Sequence, residues 1–179
     1  MNSPLRNIQA KTMINKTKSL VAAFLAAGFL GLAQHAMAGD TATQTVTFAV
    51  TAINELSVSG SPGALVVSTA TAGQAPDMVT EGTTTYSITT NEADRKITGA
   101  IDSAMPTGLT LRIALQAPAG SGSSVGPVTL GTSASDLVTG ISTLNETGRT
   151  ITYWLSATSA AGVVPSASKT VTLTILAGS

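Results

Sequence analysis

Five stretches hold residues whose types and spacing match known chemistry. Ser166-Ala167-Ser168-Lys169 fits S-x-x-K, the pairing in which a lysine activates a serine for acyl transfer. That chemistry needs the serine at a helix start and the lysine one turn later. Here the four residues lead into a strand-like alternation, whose period of two sends Ser166 and Lys169 to opposite faces. Lys169-Thr170 is followed by Val171 and Ser135-Asp136 by Leu137, so the companion K-T-G and S-D-N signatures are missing as well. Gly120-Ser121-Gly122-Ser123-Ser124-Val125-Gly126 is glycine-rich like a phosphate loop, but its third glycine is one place late for G-x-G-x-x-G and no G-K-[ST] follows. Asn91, Glu92 and Asp94 in one turn, and Asp77 and Glu81 in another, offer oxygen ligands of the kind calcium takes, without the spacing of an EF-hand loop. Asn145-Glu146-Thr147 matches a glycosylation sequon. Turns, a surface loop and a polar strand entry account for these residues more simply. The expectation is a protein with no cofactor and no metal, and not an enzyme.

The elements that would position any site begin only after a leader. Lys11, Lys16 and Lys18 precede an apolar run over residues 20–32, and Ala36-Met37-Ala38 closes it. A charged start, a short apolar stretch and a small-x-small site make a secretory signal peptide. Thirteen apolar residues are too few for a bilayer span, which takes about 20. The expected cut after Ala38 leaves residues 39–179 as one domain, and Met13 alone would start a complete leader. The leader (1–38) carries away Arg6, the three lysines and His35, the only histidine. Five basic residues then face nine carboxylates, a charge of −4, and the chain has no cysteine. A Ser-His-Asp triad, a Cys-His pair, an imidazole or thiolate zinc site and haem ligation by His or Cys all lack their residues. An acidic chain of this kind is also a poor nucleic-acid ligand. An exported domain without disulfides has to be held by its core, which about 140 residues can build.

Beyond residue 39 the pattern is strand throughout. From Thr45, apolar Val46, Phe48, Val50 and Ala52 alternate with Thr45, Thr47, Ala49 and Thr51, and Leu56 and Val58 continue the series past Asn54-Glu55. Further strands are expected at 65–68, 83–90, 96–101, 109–115, 128–130, 137–141, 149–157 and 169–176. Loops are expected at 72–81 and 118–126, with a tight connection at Asn91-Glu92-Ala93-Asp94. Eight or nine short strands separated by turns predict an all-β, antiparallel β-sandwich of immunoglobulin-like type. Threonine-rich outer faces suit strands half exposed to water. They do not suit the lipid face of a membrane barrel, which needs apolar residues and aromatic girdles.

Three patches carry a family resemblance. Thr-Gln-Thr-Val-Thr-Phe-Ala-Val-Thr-Ala at 43–52, Thr-Thr-Asn-Glu-Ala-Asp-Arg-Lys-Ile-Thr at 89–98, and Thr-Val-Thr-Leu-Thr-Ile-Leu at 170–176 before Gly178-Ser179 resemble the alpha-class chaperone–usher pilins. These are major subunits of colonisation-factor fimbriae, also free of cysteine. The resemblance implies an incomplete immunoglobulin-like sandwich that polymerises by donor-strand exchange, with residues 41–52 donated to a neighbour. It further implies self-association, a periplasmic chaperone and an usher as partners, and passage through the periplasm to the cell surface.

The residues themselves leave two readings of that segment open. Val46, Phe48, Val50 and Ala52, with no proline among them, suit a strand added to an exposed edge of another subunit. They equally suit the first strand of the chain's own sandwich. The expected function is therefore a secreted structural subunit of a surface filament, fimbria or extracellular matrix. Its rival is a monomeric adhesion or binding module for carbohydrate or protein. That rival would use Trp154, which alternation places outside if Tyr153 faces in, unless a loop covers it or its strand is buried on both faces. Mass spectrometry of the exported protein should find Gly39 as the first residue; retention of residues 20–32 would make this an anchored protein instead.

Overall fold

The computed structural model describes residues 40–178. The expected leader, its cleavage point and the start at Met13 lie outside the described residues. The chain divides into two units after Phe48, and all nine strands fall in the second.

Period-two alternation builds two antiparallel sheets. The strands are β1 (Asn54–Val58), β2 (Val79–Thr90), β3 (Arg95–Ile101), β4 (Leu109–Leu115), β5 (Ser123–Ser124), β6 (Val128–Thr129), β7 (Ser135–Ile141), β8 (Leu144–Ala157) and β9 (Val171–Ala177). One sheet has the order β1-β2-β8-β4-β6 and the other β5-β7-β3-β9, and every pairing is antiparallel. Their apolar faces meet in one core of Tyr86, Ile88, Ile97, Ile101, Leu111, Ile113, Leu115, Leu130, Leu137, Val138, Ile141, Ile151 and Tyr153. The fold is the expected all-β antiparallel sandwich. Tyr86 shows how a polar group enters such a core: its hydroxyl donates to the Gln116 carbonyl at 2.6 Å, and burial pushes the phenol up to about 12, so it stays a neutral donor.

Two expected strands are absent from the ladders. Residues 45–52 are not part of any strand, and the first ladder begins only at Asn54. Alternation there gives a strand's side-chain pattern without a partner backbone. Residues 65–68 likewise carry no ladder; Leu65 and Val67 are half-buried and Val66 is exposed, a period of two without pairing. Val58, which continues the apolar series with Leu56, is exposed, whereas Leu56 is half-buried. Conversely, β2 and β8 are longer than expected, because bulges interrupt their alternation. Between Tyr86 and Ile88 the facing strand advances from Arg149 to Glu146, one residue too many. Gly148 absorbs that extra residue at φ +70°, a left-handed conformation that suits glycine. The glycine- and serine-rich loop also contributes the short strand β5.

Stability should follow this division between ladder and margin. Ile113→Ala removes the centre of β4 and should cost about 2–5 kcal/mol. Val58→Ala should change stability by no more than ~0.5 kcal/mol. Denaturant titration of both variants checks the contrast.

Candidate functional site

The second sheet ends on a strand that is only half covered. β9 pairs with β3 from Arg95↔Ala177 to Ile101↔Val171 and, among the described residues, with no strand on its other side. The next pair, Asp102 with Thr170, is held by backbone and carboxylate bonds of 3.1 and 3.2 Å. Val171, Leu173 and Ile175 turn toward the core yet remain half-buried, whereas Ile97 and Ile101 on neighbouring β3 are fully enclosed. Across the sandwich, β1 is the edge of the other sheet, and its Leu56 is half-buried beside the enclosed Ile88. Core side chains along this margin thus lack a cover.

The margin widens into an apolar cavity of about 630 Å³. One wall is the stretch 64–70, unpaired as far as Ser68 before Thr69 accepts from Asp77 and Ala70 bridges to Pro76, and the other is the stretch 162–169, which leads into β9 without a ladder. Leu109 and Leu155, from the adjoining ends of β4 and β8, and Met105 complete the lining. A single 3-10 turn, Ser159–Ala161, sits against Gly108, where any added Cβ would come within 2.7 Å of the Ala161 nitrogen. Gly108 also holds φ +82°, so the bend that opens the cavity depends on glycine twice over. Lys169 extends along the rim and donates to the Ser103 hydroxyl at 2.7 Å. Such a lining offers apolar contact and two rows of unpaired backbone groups; it holds no acid–base pair. Among the described residues, no three His, Cys, Asp or Glu side chains come together as a metal site.

At the opposite end of β1 the turn after β2 is tied to the chain before β1. The Asn91 amide nitrogen donates to the Ile53 carbonyl at 3.2 Å. The Asn91 side chain accepts from the Ile53 N–H at 2.8 Å and donates to the Thr51 carbonyl at 2.7 Å. Glu92 accepts from the Asn54 amide and the Arg95 guanidinium; these bonds, Asn54's first, hold its carboxyl below the usual range. Asp94 adopts φ +51° and accepts from Gly178 N–H at 2.6 Å. The acidic turn expected as a calcium candidate is thus a lock between β1, β2 and β3.

Residues 41–52 lie outside every strand, with Val46, Phe48 and Val50 exposed at 72%, 88% and 81% and Ala52 also exposed. Trp154 sits in β8 opposite Thr80 and Arg112, on the face away from buried Tyr153, and is half-buried. Ser166 and Lys169 lie on an irregular extended stretch, with no helix to set the acyl-transfer spacing. Sequence reasoning missed both cavity walls, since 65–68 reads as an ordinary strand and 166–169 as a polar strand entry. It also missed Asn91 and Glu146, whose partners are distant in sequence. Comparison with known proteins gives no match: no family model, no curated protein and no solved structure.

Glu146 belongs to the sequon by pattern, but its carboxylate clamps the glycine-rich loop. It accepts from the N–H groups of Ala119 and Gly120 at 2.8 and 2.7 Å and from Arg149 at 2.6 Å. Ala119's bond, then Gly120's, holds its carboxyl below the usual range. A carboxyl lowered on folding stabilises the fold above its unfolded value, roughly 4.3, and stops doing so as pH falls through its folded value. Melting temperatures followed from pH 7 to roughly pH 2 should therefore drop at the acid end. Glu146→Gln should melt lower at neutral pH and show a shallower acid decline.

Proposed function

We propose that this chain is a secreted structural subunit that assembles into a surface filament by donating residues 41–52 to the open margin of a second copy. The observation that carries this reading is the exposure of Phe48, flanked at period two by Val46 and Val50, in a segment outside every ladder. Exposed apolar rows of this kind are interaction surfaces. The same chain has a complementary deficit. Its β9 edge and the 64–68 stretch carry unpaired backbone, and Val171, Leu173, Ile175 and Leu65 await cover. A strand laid into that margin would satisfy backbone groups on both sides and place alternate side chains over the core. Burying Phe48 and the two valines contributes roughly 1.5–3 kcal/mol each, before the costs of ordering.

The resemblance to alpha-class chaperone–usher pilins supports the same reading, and with it an incomplete immunoglobulin-like fold, a chaperone that caps the margin before assembly, and export to the cell surface. No helix among the described residues is long and apolar enough to cross a membrane.

Phe48→Asp separates donation from residence. Because the side chain is exposed, the variant subunit should keep its fold, with stability within ~0.5 kcal/mol of the parent. Its filaments should vanish from electron micrographs, since a charge would enter the neighbour's core. A parent chain that stays monomeric at every concentration would instead favour the monomeric binding module.

A further inference from the structure

Residues 41–52 are joined to β1 through Ile53, so entry into the subunit's own margin competes with donation to a second copy. Three features of the chain bear on how they would enter. β1 starts beside the 91–94 turn, and residues 64–70 reach the cavity end; β9 starts at the cavity end and finishes with Ala177 opposite Arg95, beside the same turn. The two walls therefore run in opposite directions. A segment folded back from Asn54 would run antiparallel to β1 and hence parallel to β9. A segment from a second copy is free to run antiparallel to β9, the slightly more stable pairing.

Folding back also needs a turn immediately before Asn54. Two-residue hairpin turns need positive φ, which glycine or asparagine supplies and β-branched residues resist. The residues available are Thr51, Ala52 and Ile53. These are the residues that Asn91 holds. Its backbone N–H continues the β1–β2 ladder by one pair, to the Ile53 carbonyl. Its side-chain amide then imitates a further length of strand, accepting from Ile53 N–H and donating to Thr51 C=O. No turn or bend interrupts the chain from Ala49 to Ile53.

We propose that Asn91 is a positioning residue for assembly: it locks Thr51 and Ile53 in line with β1, blocks the hairpin that would seat residues 41–52 in the subunit's own margin, and so reserves that margin for a second copy. This rests on the strand-donation reading and adds to it the device that makes donation intermolecular.

The test uses dilute monomer and a fluorescently labelled synthetic peptide of residues 41–52, with uptake read by anisotropy. Parent monomer should take up the peptide. Asn91→Ala monomer should close on itself and take up about tenfold less at the same peptide concentration, the scale of losing one or two hydrogen bonds. Adding Phe48→Asp to the Asn91→Ala chain should restore uptake, because the competing strand is disabled. A merely structural role for Asn91 would not be rescued by a change in the donor segment. If Asn91→Ala does not fold, inserting two glycines after Ala52 with Asn91 intact is the second variant. The insertion supplies a turn and should lower uptake in the same way. Equal uptake by parent and either folded variant overturns the role of Asn91 and leaves strand donation standing. Absence of rescue by Phe48→Asp overturns it too. Failure of the peptide to bind a Phe48→Asp chain that keeps Asn91 overturns both, since that margin is then no acceptor.

Discussion

Seven residue pairs join β9 to β3, and no strand among the described residues pairs with the other edge of β9. Everything distinctive about the molecule depends on that one-sided ladder. A sandwich buries its core by laying two sheets face to face, and each sheet covers the core only as far as its edge strand. Because β9 is the last strand of the smaller sheet, Val171, Leu173 and Ile175 end the core without closing it. Edges of this kind are hazards that proteins usually blunt with charge, proline or a covering loop. Here the outward positions of β9 are Thr172, Thr174 and Leu176, which neither repel nor block a further strand.

The sequence made the fold class legible and the pairing partly so. β4 is read to the residue, because Leu109, Leu111, Ile113 and Leu115 alternate without interruption and Arg112 marks the outer face. β2 and β8 are read short because a bulge shifts the period, so residues on either side of Gly148 no longer seem to share a face. The deeper limit concerns residues 45–52 and 65–68. Alternation records what side chains require of their surroundings; it does not say whether the partner backbone belongs to the same molecule. A strand that pairs at home and one that pairs abroad have the same period.

The candidate site was correspondingly half legible. Val46, Phe48, Val50 and Ala52 stand out in the sequence because their neighbours are threonines. The margin that would receive them is assembled from 64–70, 162–169 and β9, which are far apart in the chain and unremarkable singly. Asn91 is visible in the sequence as a turn former and an oxygen ligand, and Glu146 as part of a sequon. Their work is done through carbonyls and N–H groups of Thr51, Ile53, Ala119 and Gly120, and backbone partners leave no trace in side-chain patterns. With no cysteine to staple loops, such polar ties are what fix the ends of the sandwich.

The wiring of the two sheets also sets an order in time. Ala177 meets Arg95 at a separation of 82 positions, and Leu155 meets Val79 at one of 76. Local hairpins supply few of the ladders, so the entropy of closing long loops has to be met before the core rewards it. β2 cannot gain its central partner until β8 has emerged, and β3 waits longer still for β9. A chain threaded out of a cell from its amino-terminal end would therefore stay loose until nearly all of it had crossed, a state suited to a narrow translocation channel and exposed to aggregation just beyond it.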